Sequence, residues 1–280
     1  MISDITLGQF FPGYSPLHRL DPRSKILMTI LFIVAVFLAN NPATFFVLLL
    51  FSLFLVFISR ISFSVVLRGL KPILFILIFT MLINIFATKA DSTPLLSFWI
   101  IKIYKEGIIR AVFMALRVTV LIIGTSMFLT YTTSPISLTD GIESLLKPLK
   151  FIGVPVHLFA MMMTIALRFI PTLIEETDKI IAAQKARGAD FTSGSLVKRA
   201  KALIPILVPL FISAFRRADE LAIAMECRCY RGGEGRTKLH VLKYGAVDVL
   251  MAIPVVAFLV ALILVEHFGI DFPFVGENWF

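Results

Sequence analysis

From Ile26 to Ser59 the chain runs for 34 residues without an Asp, Glu, Lys or Arg. A helix needs about 20 apolar residues to cross about 30 Å of hydrocarbon, so a run of this length holds two short crossings. Asn40, Asn41 and Pro42 supply the break, because proline ends a helix and paired asparagines favour a turn. The spans are therefore expected at 26–39 and 43–59, both short enough to suit a thinned bilayer. Further charge-poor runs at 72–88, at 111–131 with Arg117 inside it, and at 249–265 bring the expected crossings to five. The first run starts late, is long, and lacks a small-residue cleavage site, so it reads as a retained span and not a signal peptide.

Composition agrees with membrane insertion. The chain is 58% hydrophobic and 16% charged with a mean hydropathy of +0.92, against roughly 45–50% and about 25% in soluble domains. Twenty-seven Phe accompany only 5 Tyr and 2 Trp, which puts most aromatic area in lipid or protein core. Disorder, a secreted disulfide scaffold and a collagen-like chain are excluded. Cys227 and Cys229 are too close in sequence to staple distant segments, and an oxidising compartment is not indicated.

The net charge of +9 has a side. Arg19, Arg23 and Lys25 flank the first span, Arg60, Arg68 and Lys71 follow the second, and 16 of the 27 Lys and Arg residues fall between Thr132 and Lys243. The positive-inside rule puts all of these in the cytoplasm. Five crossings then leave the amino terminus cytoplasmic and the carboxyl terminus outside, with only Lys89, Lys102, Lys105 and Arg110 exported. The basic charge is thus read as membrane orientation, with no nucleic-acid partner. Three regions follow: 1–131 with four spans, a cytoplasmic region 132–243, and 244–280 with the fifth span and an exported tail. The fold class is an all-α integral membrane protein with long amphipathic cytoplasmic helices.

The cytoplasmic region carries the functional signal. Its apolar runs at 151–167 and 202–215 suit helices lying against the membrane. Pro171 allows a helix to start afresh, and Ile170, Leu173, Ile174, Thr177, Ile180, Ile181 and Gln184 form one stripe at 100° per residue. Glu175, Glu176, Asp178, Lys179 and Lys185 lie off that stripe. A second helix beginning near Ala200 carries Leu203, Leu207, Leu210, Ala214, Ala218, Leu221 and Met225 on one side, with Arg216, Arg217, Asp219, Glu220 and Glu226 opposite. Pro205 and Pro209 are expected to kink it. The first helix closes on Ala186, Arg187 and Gly188, the second on Cys227, Arg228 and Cys229. Two matched stripes can pack across each other and fix the spacing of two arginine tips 41 residues apart. Small flanking residues admit each tip to a narrow groove, where arginine makes bidentate contacts while staying charged.

These residues resemble the transmembrane T component of energy-coupling factor (ECF) transporters, ATP-driven importers of vitamins and trace micronutrients. The resemblance is carried by Gln184, Lys185, Ala186, Arg187 and Gly188, preceded by Arg168, Phe169, Pro171 and Glu175. It continues in Ala224 through Gly232 and in the amino-terminal stretch Tyr14 to Arg23, and covers essentially the whole chain. It implies a non-catalytic subunit of a prokaryotic plasma membrane, without cofactor or metal of its own. Two cytoplasmic ATP-binding subunits would dock on the two arginine tripeptides, and a separate membrane-embedded substrate-binding (S) component on the apolar helices. The family's tripeptides are usually Ala-Arg-Gly; the second one here reads Cys-Arg-Cys.

Other features weigh less. Arg117 reads as a structural pair or as snorkelling to the interface, and Asp248 as an interfacial residue. His18, His157, His240 and His267 have no metal-ligand spacing, and one Cys-x-Cys pair lacks a second pair for zinc. Residues 232–238 lack the order of a Walker A loop. A self-sufficient secondary transporter would show internal repeats, and a membrane-embedded lipid enzyme would need clustered acids or histidines. Neither pattern is present in the sequence.

Overall fold

The computed structural model describes residues 10–39, 41–88, 96–98, 101–189, 191, 195–232 and 241–267. In chain order the helices are α1 (Pro22–Leu38), α2 (Pro42–Ser59), α3 (Phe63–Leu70), α4 (Leu74–Ala87), α5 (Lys105–Thr125), α6 (Pro135–Leu145), α7 (Val156–Ala186), α8 (Leu196–Cys227) and α9 (Ala246–His267). A 3-10 turn at Lys71–Ile73 joins α3 to α4, and a π-helical turn at Ser126–Thr130 extends α5. The fold is the expected helical membrane protein, with one addition: β1 (Leu96–Phe98) and β2 (Ile101–Ile103) pair as a short antiparallel hairpin. The Gly-rich stretch from Gly233 to Lys238, His240 and the exported tail beyond His267 lie outside the described residues.

Two compact units result: one is Pro135–Val241, and the other is built from the described parts of Gln9–Ser134 and Leu242–Phe280. The second of these holds the main core. Asp21 starts α1 by accepting a hydrogen bond from the Arg23 amide at 2.9 Å, with Pro22 at the first helical position, where its missing N–H costs nothing. α1 therefore begins four residues earlier than the apolar run and takes Lys25 into the bundle, where it is 2% exposed. The Lys25 ammonium donates to the Thr132 carbonyl at 2.7 Å. Asp248, also buried, accepts from the amides of Asp21 and Gly245, both at 2.7 Å. Lys25 and Asp248 are thus buried ties between the starts of α1 and α9 and the end of the α5 extension. Both are buried inside the protein, where sequence alone gives them only as flanks of their spans; a buried charge is tolerated when it has hydrogen-bond partners of this kind.

Aromatic rings fill the space behind this knot. Phe32 lies against Phe51 and Phe128, and Phe51 stacks on Phe258 at 4.2 Å between centroids. Arg117 donates to the Ala39 carbonyl at 2.5 Å and sits 5.2 Å over the Phe45 ring. It thereby satisfies an orphan carbonyl at the end of α1, the structural pairing favoured by the sequence. Before α1, His18 donates through Nε2 to the Phe11 carbonyl at 2.9 Å, leaving Nδ1 to accept from the Ser15 hydroxyl at 2.6 Å.

In the other unit α7 packs against both α6 and α8. α7 does not restart at Pro171; it is one helix of 31 residues with the proline inside it. A proline removes one backbone bond and leaves the other turns intact, so packing along both sides carries the helix through. α8 likewise runs through Pro205 and Pro209.

Among the described residues, five helical stretches are long and apolar enough to cross a membrane: Pro42–Ser59, Phe63–Ala87, Lys105–Thr130, Val156–Ala186 and Ala246–Leu264. Four coincide with expected spans. The fifth is α7, which meets the length requirement because it is continuous through Pro171. α1, with 17 residues, reaches about 26 Å at 1.5 Å per residue, near the short limit foreseen for it.

At Gly124 α5 lies against the Phe32 ring of α1: a Cβ there would be 2.1 Å from it. Phe32 is 1% exposed and held by two other rings, so it has little room to withdraw. Gly124→Ala should therefore cost about 1–3 kcal/mol by overpacking. Thermal unfolding in detergent should show a lowered midpoint, restored in part by Phe32→Leu; an unchanged midpoint would contradict this packing.

Candidate functional site

The seven residues of the α7 stripe, from Ile170 to Gln184, are all half-buried, while Glu175, Asp178, Lys179 and Lys185 are exposed. On α8 the covered line differs from the expected one. Ala202, Ile206, Leu210, Ser213, Ala214, Arg217, Leu221 and Met225 are at least partly covered, whereas Leu203, Leu207 and Ala218 are exposed. The reason is a polar contact. Glu176 of α7 accepts from the Ser213 hydroxyl on one carboxylate oxygen and pairs with the Arg217 guanidinium at 3.1 Å on the other. Ser213 and Arg217, four apart, occupy one face of a helix. That face turns toward α7, carrying Arg217 with it.

Both helices end in the same way. In α7 the Gly188 amide bonds to the Lys185 carbonyl at 2.9 Å and the Ala189 amide to the Gln184 carbonyl at 3.0 Å. In α8 the Cys229 amide bonds to the Glu226 carbonyl at 2.8 Å and the Tyr230 amide to the Met225 carbonyl at 3.0 Å. Each pair is a Schellman closure, which requires a left-handed residue just past the helix. Gly188 takes it at φ 85° and Cys229 at φ 56°. Cys229 therefore occupies the backbone conformation that glycine occupies in the first tripeptide, although it is a residue type that disfavours it.

Ala186, Arg187, Gly188, Cys227, Arg228 and Cys229 are all exposed. Each arginine sits at the C-cap, between the last helical residue and the left-handed one. A cation in that position faces the negative end of the helix dipole. What the arrangement offers chemically is a pair of like-shaped cationic tips with donors free to meet a carboxylate.

A family model described as CbiQ, cobalt transport protein, matches residues 13–239. The chain belongs to the CbiQ family. It is 55% identical over 253 residues to the energy-coupling factor transporter transmembrane protein EcfT of Clostridium kluyveri, covering 90% of this chain and 93% of that one. Against the EcfT of Ruminiclostridium cellulolyticum it is 56% identical over 267 residues, 95% of this chain and 99% of the relative. Against that of Bacillus subtilis the identity is 50% over 248 residues, 89% and 93% of the two chains. Membership of the CbiQ family, with relatives of this kind along nearly their whole lengths, makes the chain a multi-pass membrane component of a transporter. It also upholds the resemblance to ECF T components drawn from the arginine motifs.

Within this CbiQ-family chain, sequence reasoning found both tips but missed the contact between the helices that bear them. Charged neighbours place Glu176 and Arg217 on polar faces by periodicity alone. The available signal was their separation: they are 41 residues apart, the same offset as Arg187 and Arg228.

The left-handed geometry at Cys229 predicts that Cys229→Gly strengthens the closure of α8, since a non-glycine residue there costs about 1–2 kcal/mol. Hydrogen exchange at the Tyr230 amide should slow on that substitution. Gly188→Ala should speed exchange at the Ala189 amide; an unchanged rate in both would contradict the matched closures.

Proposed function

We propose that the chain is the non-catalytic coupling subunit of an ATP-driven ECF-type importer of vitamins or similar micronutrients. Ala186, Arg187 and Gly188 dock one cytoplasmic ATP-binding subunit, and Cys227, Arg228 and Cys229 dock a second. The apolar helices engage a membrane-embedded S component, which holds the substrate. ATP-driven approach of the two ATPases changes the crossing of α7 and α8, and this lever motion tips the S component. On this reading the protein lies in a prokaryotic plasma membrane with its amino terminus in the cytoplasm, and 132–243, which includes the membrane-length helix α7, forms the coupling region between membrane segments 1–131 and 244–280.

The observation that carries the proposal is the pair of exposed arginines on identically closed, mutually packed helices. One such helix end is ordinary capping. Two on one packed pair form a bidentate connector for two equivalent receptors, as in helix-in-groove docking. The EcfT names of the relatives support the same assignment.

Reversing a tip separates the outcomes by size. An arginine buried against an acid of an ATPase would cost about 3–5 kcal/mol on removal, and an exposed pair about 0–1 kcal/mol. Arg187→Glu and Arg228→Glu should each leave the protein in the membrane but weaken co-purification of one ATPase, and the double variant should abolish ATP-dependent uptake. Uptake unchanged in the double variant would reject the role assigned to the tips.

A further inference from the structure

We infer that Glu176 is the positioning residue that sets the separation of the two arginine tips, acting as a clamp on α8 through Ser213 and Arg217. The inference rests on the proposed role of those tips and adds the device that spaces them.

The contact is two-pronged. One Glu176 oxygen takes the Ser213 hydroxyl and the other takes the Arg217 guanidinium, so a single carboxylate grips two successive turns of α8. Sliding α8 by one residue would move these donors by about 1.5 Å along the axis and turn them by about 100°, breaking both bonds together. Apolar stripes tolerate small slips, because dispersion has no direction; a charge-assisted pair with a second hydrogen bond does not. Among the other charges nearby, Lys179, three residues along α7, also attracts the Glu176 carboxylate; Glu175, Asp178, Lys179, Arg216, Asp219 and Glu220 are exposed, while Glu176 and Ser213 are half-buried.

The clamp is also placed symmetrically. Glu176 lies 11 residues before Arg187, and Arg217 lies 11 residues before Arg228. Each arm is thus about 16 Å long at 1.5 Å per residue. Equal arms about one fixed contact make the tip separation a function of a single variable, the crossing angle, and a 10° change moves the tips by roughly 2–3 Å. Docked partners that approach each other would drive that angle without dragging the helices out of register.

The test uses the full-length chain with its native cysteines and spin labels on ketone-bearing residues placed at Lys185 and Glu226. Both are exposed and 41 residues apart. Electron-electron double resonance should give one narrow distance in the unsubstituted chain. Glu176→Gln and Arg217→Gln should each broaden the distribution or shift its mean by roughly 2 Å or more, with helicity and membrane yield unchanged. Ser213→Ala, the mildest change, should do so to a smaller degree. The exchanged pair Glu176→Lys with Arg217→Glu should restore a narrow distance, which a purely local packing defect would not. A distribution in Glu176→Gln and Arg217→Gln indistinguishable from the unsubstituted chain would overturn the clamp, whatever the ATPases do. Failure of the underlying reading appears elsewhere, as ATPase attachment that is indifferent to Arg187→Glu and Arg228→Glu while the distances still respond to Glu176.

Discussion

Two arginines far apart in sequence can work together only if the helices bearing them hold a common register, and here register is set where α7 crosses α8. Half-buried stripes supply the attraction between the helices, roughly in proportion to the apolar area removed from water. They do not by themselves choose one alignment. The choice is made by Glu176, whose two oxygens engage Ser213 and Arg217. The identical closures at Gly188 and Cys229 then carry that alignment to the surface, since each turns the chain away immediately after its arginine.

The other unit solves a different problem. Its helices bury charges where the α1 and α9 backbones begin, and they do so by tying them to backbone groups. Lys25 reaches the Thr132 carbonyl, Asp248 takes two amides, and Arg117 closes the end of α1. Phe32, Phe51, Phe128 and Phe258 pack behind these ties, with Gly124 admitting the Phe32 ring against α5. Charged residues near helix ends thus act as joints between helices.

Much of this was legible in the residues themselves. Absence of charge over 26–59 with Pro42 at the break predicts two helices, and they form as α1 and α2. The α7 stripe from Ile170 to Gln184 is the covered face because its period is strong and uninterrupted. The α8 periodicity predicts the covered line only in part, since a salt bridge to another helix overrides it and turns Arg217 inward. Pro171 suggests a restart because a single proline is a local signal, whereas continuity of a 31-residue helix is decided by its packing. The pairing of 96–98 with 101–103 has no alternating signal long enough to announce it. Of the candidate site, the six tip residues were readable from spacing; their shared backbone closure was not, because nothing in Cys-Arg-Cys advertises a left-handed cysteine.

The central claim is that each arginine tip meets its own ATP-binding subunit. Site-specific photocrosslinking in the assembled transporter tests it most directly, with a benzoylphenylalanine placed at Ala186 in one preparation and at Cys227 in another. The account predicts an adduct with an ATP-binding subunit from each position, and from both together an adduct holding two such subunits. Crosslinks confined to lipid or to this chain, from either position, would contradict it.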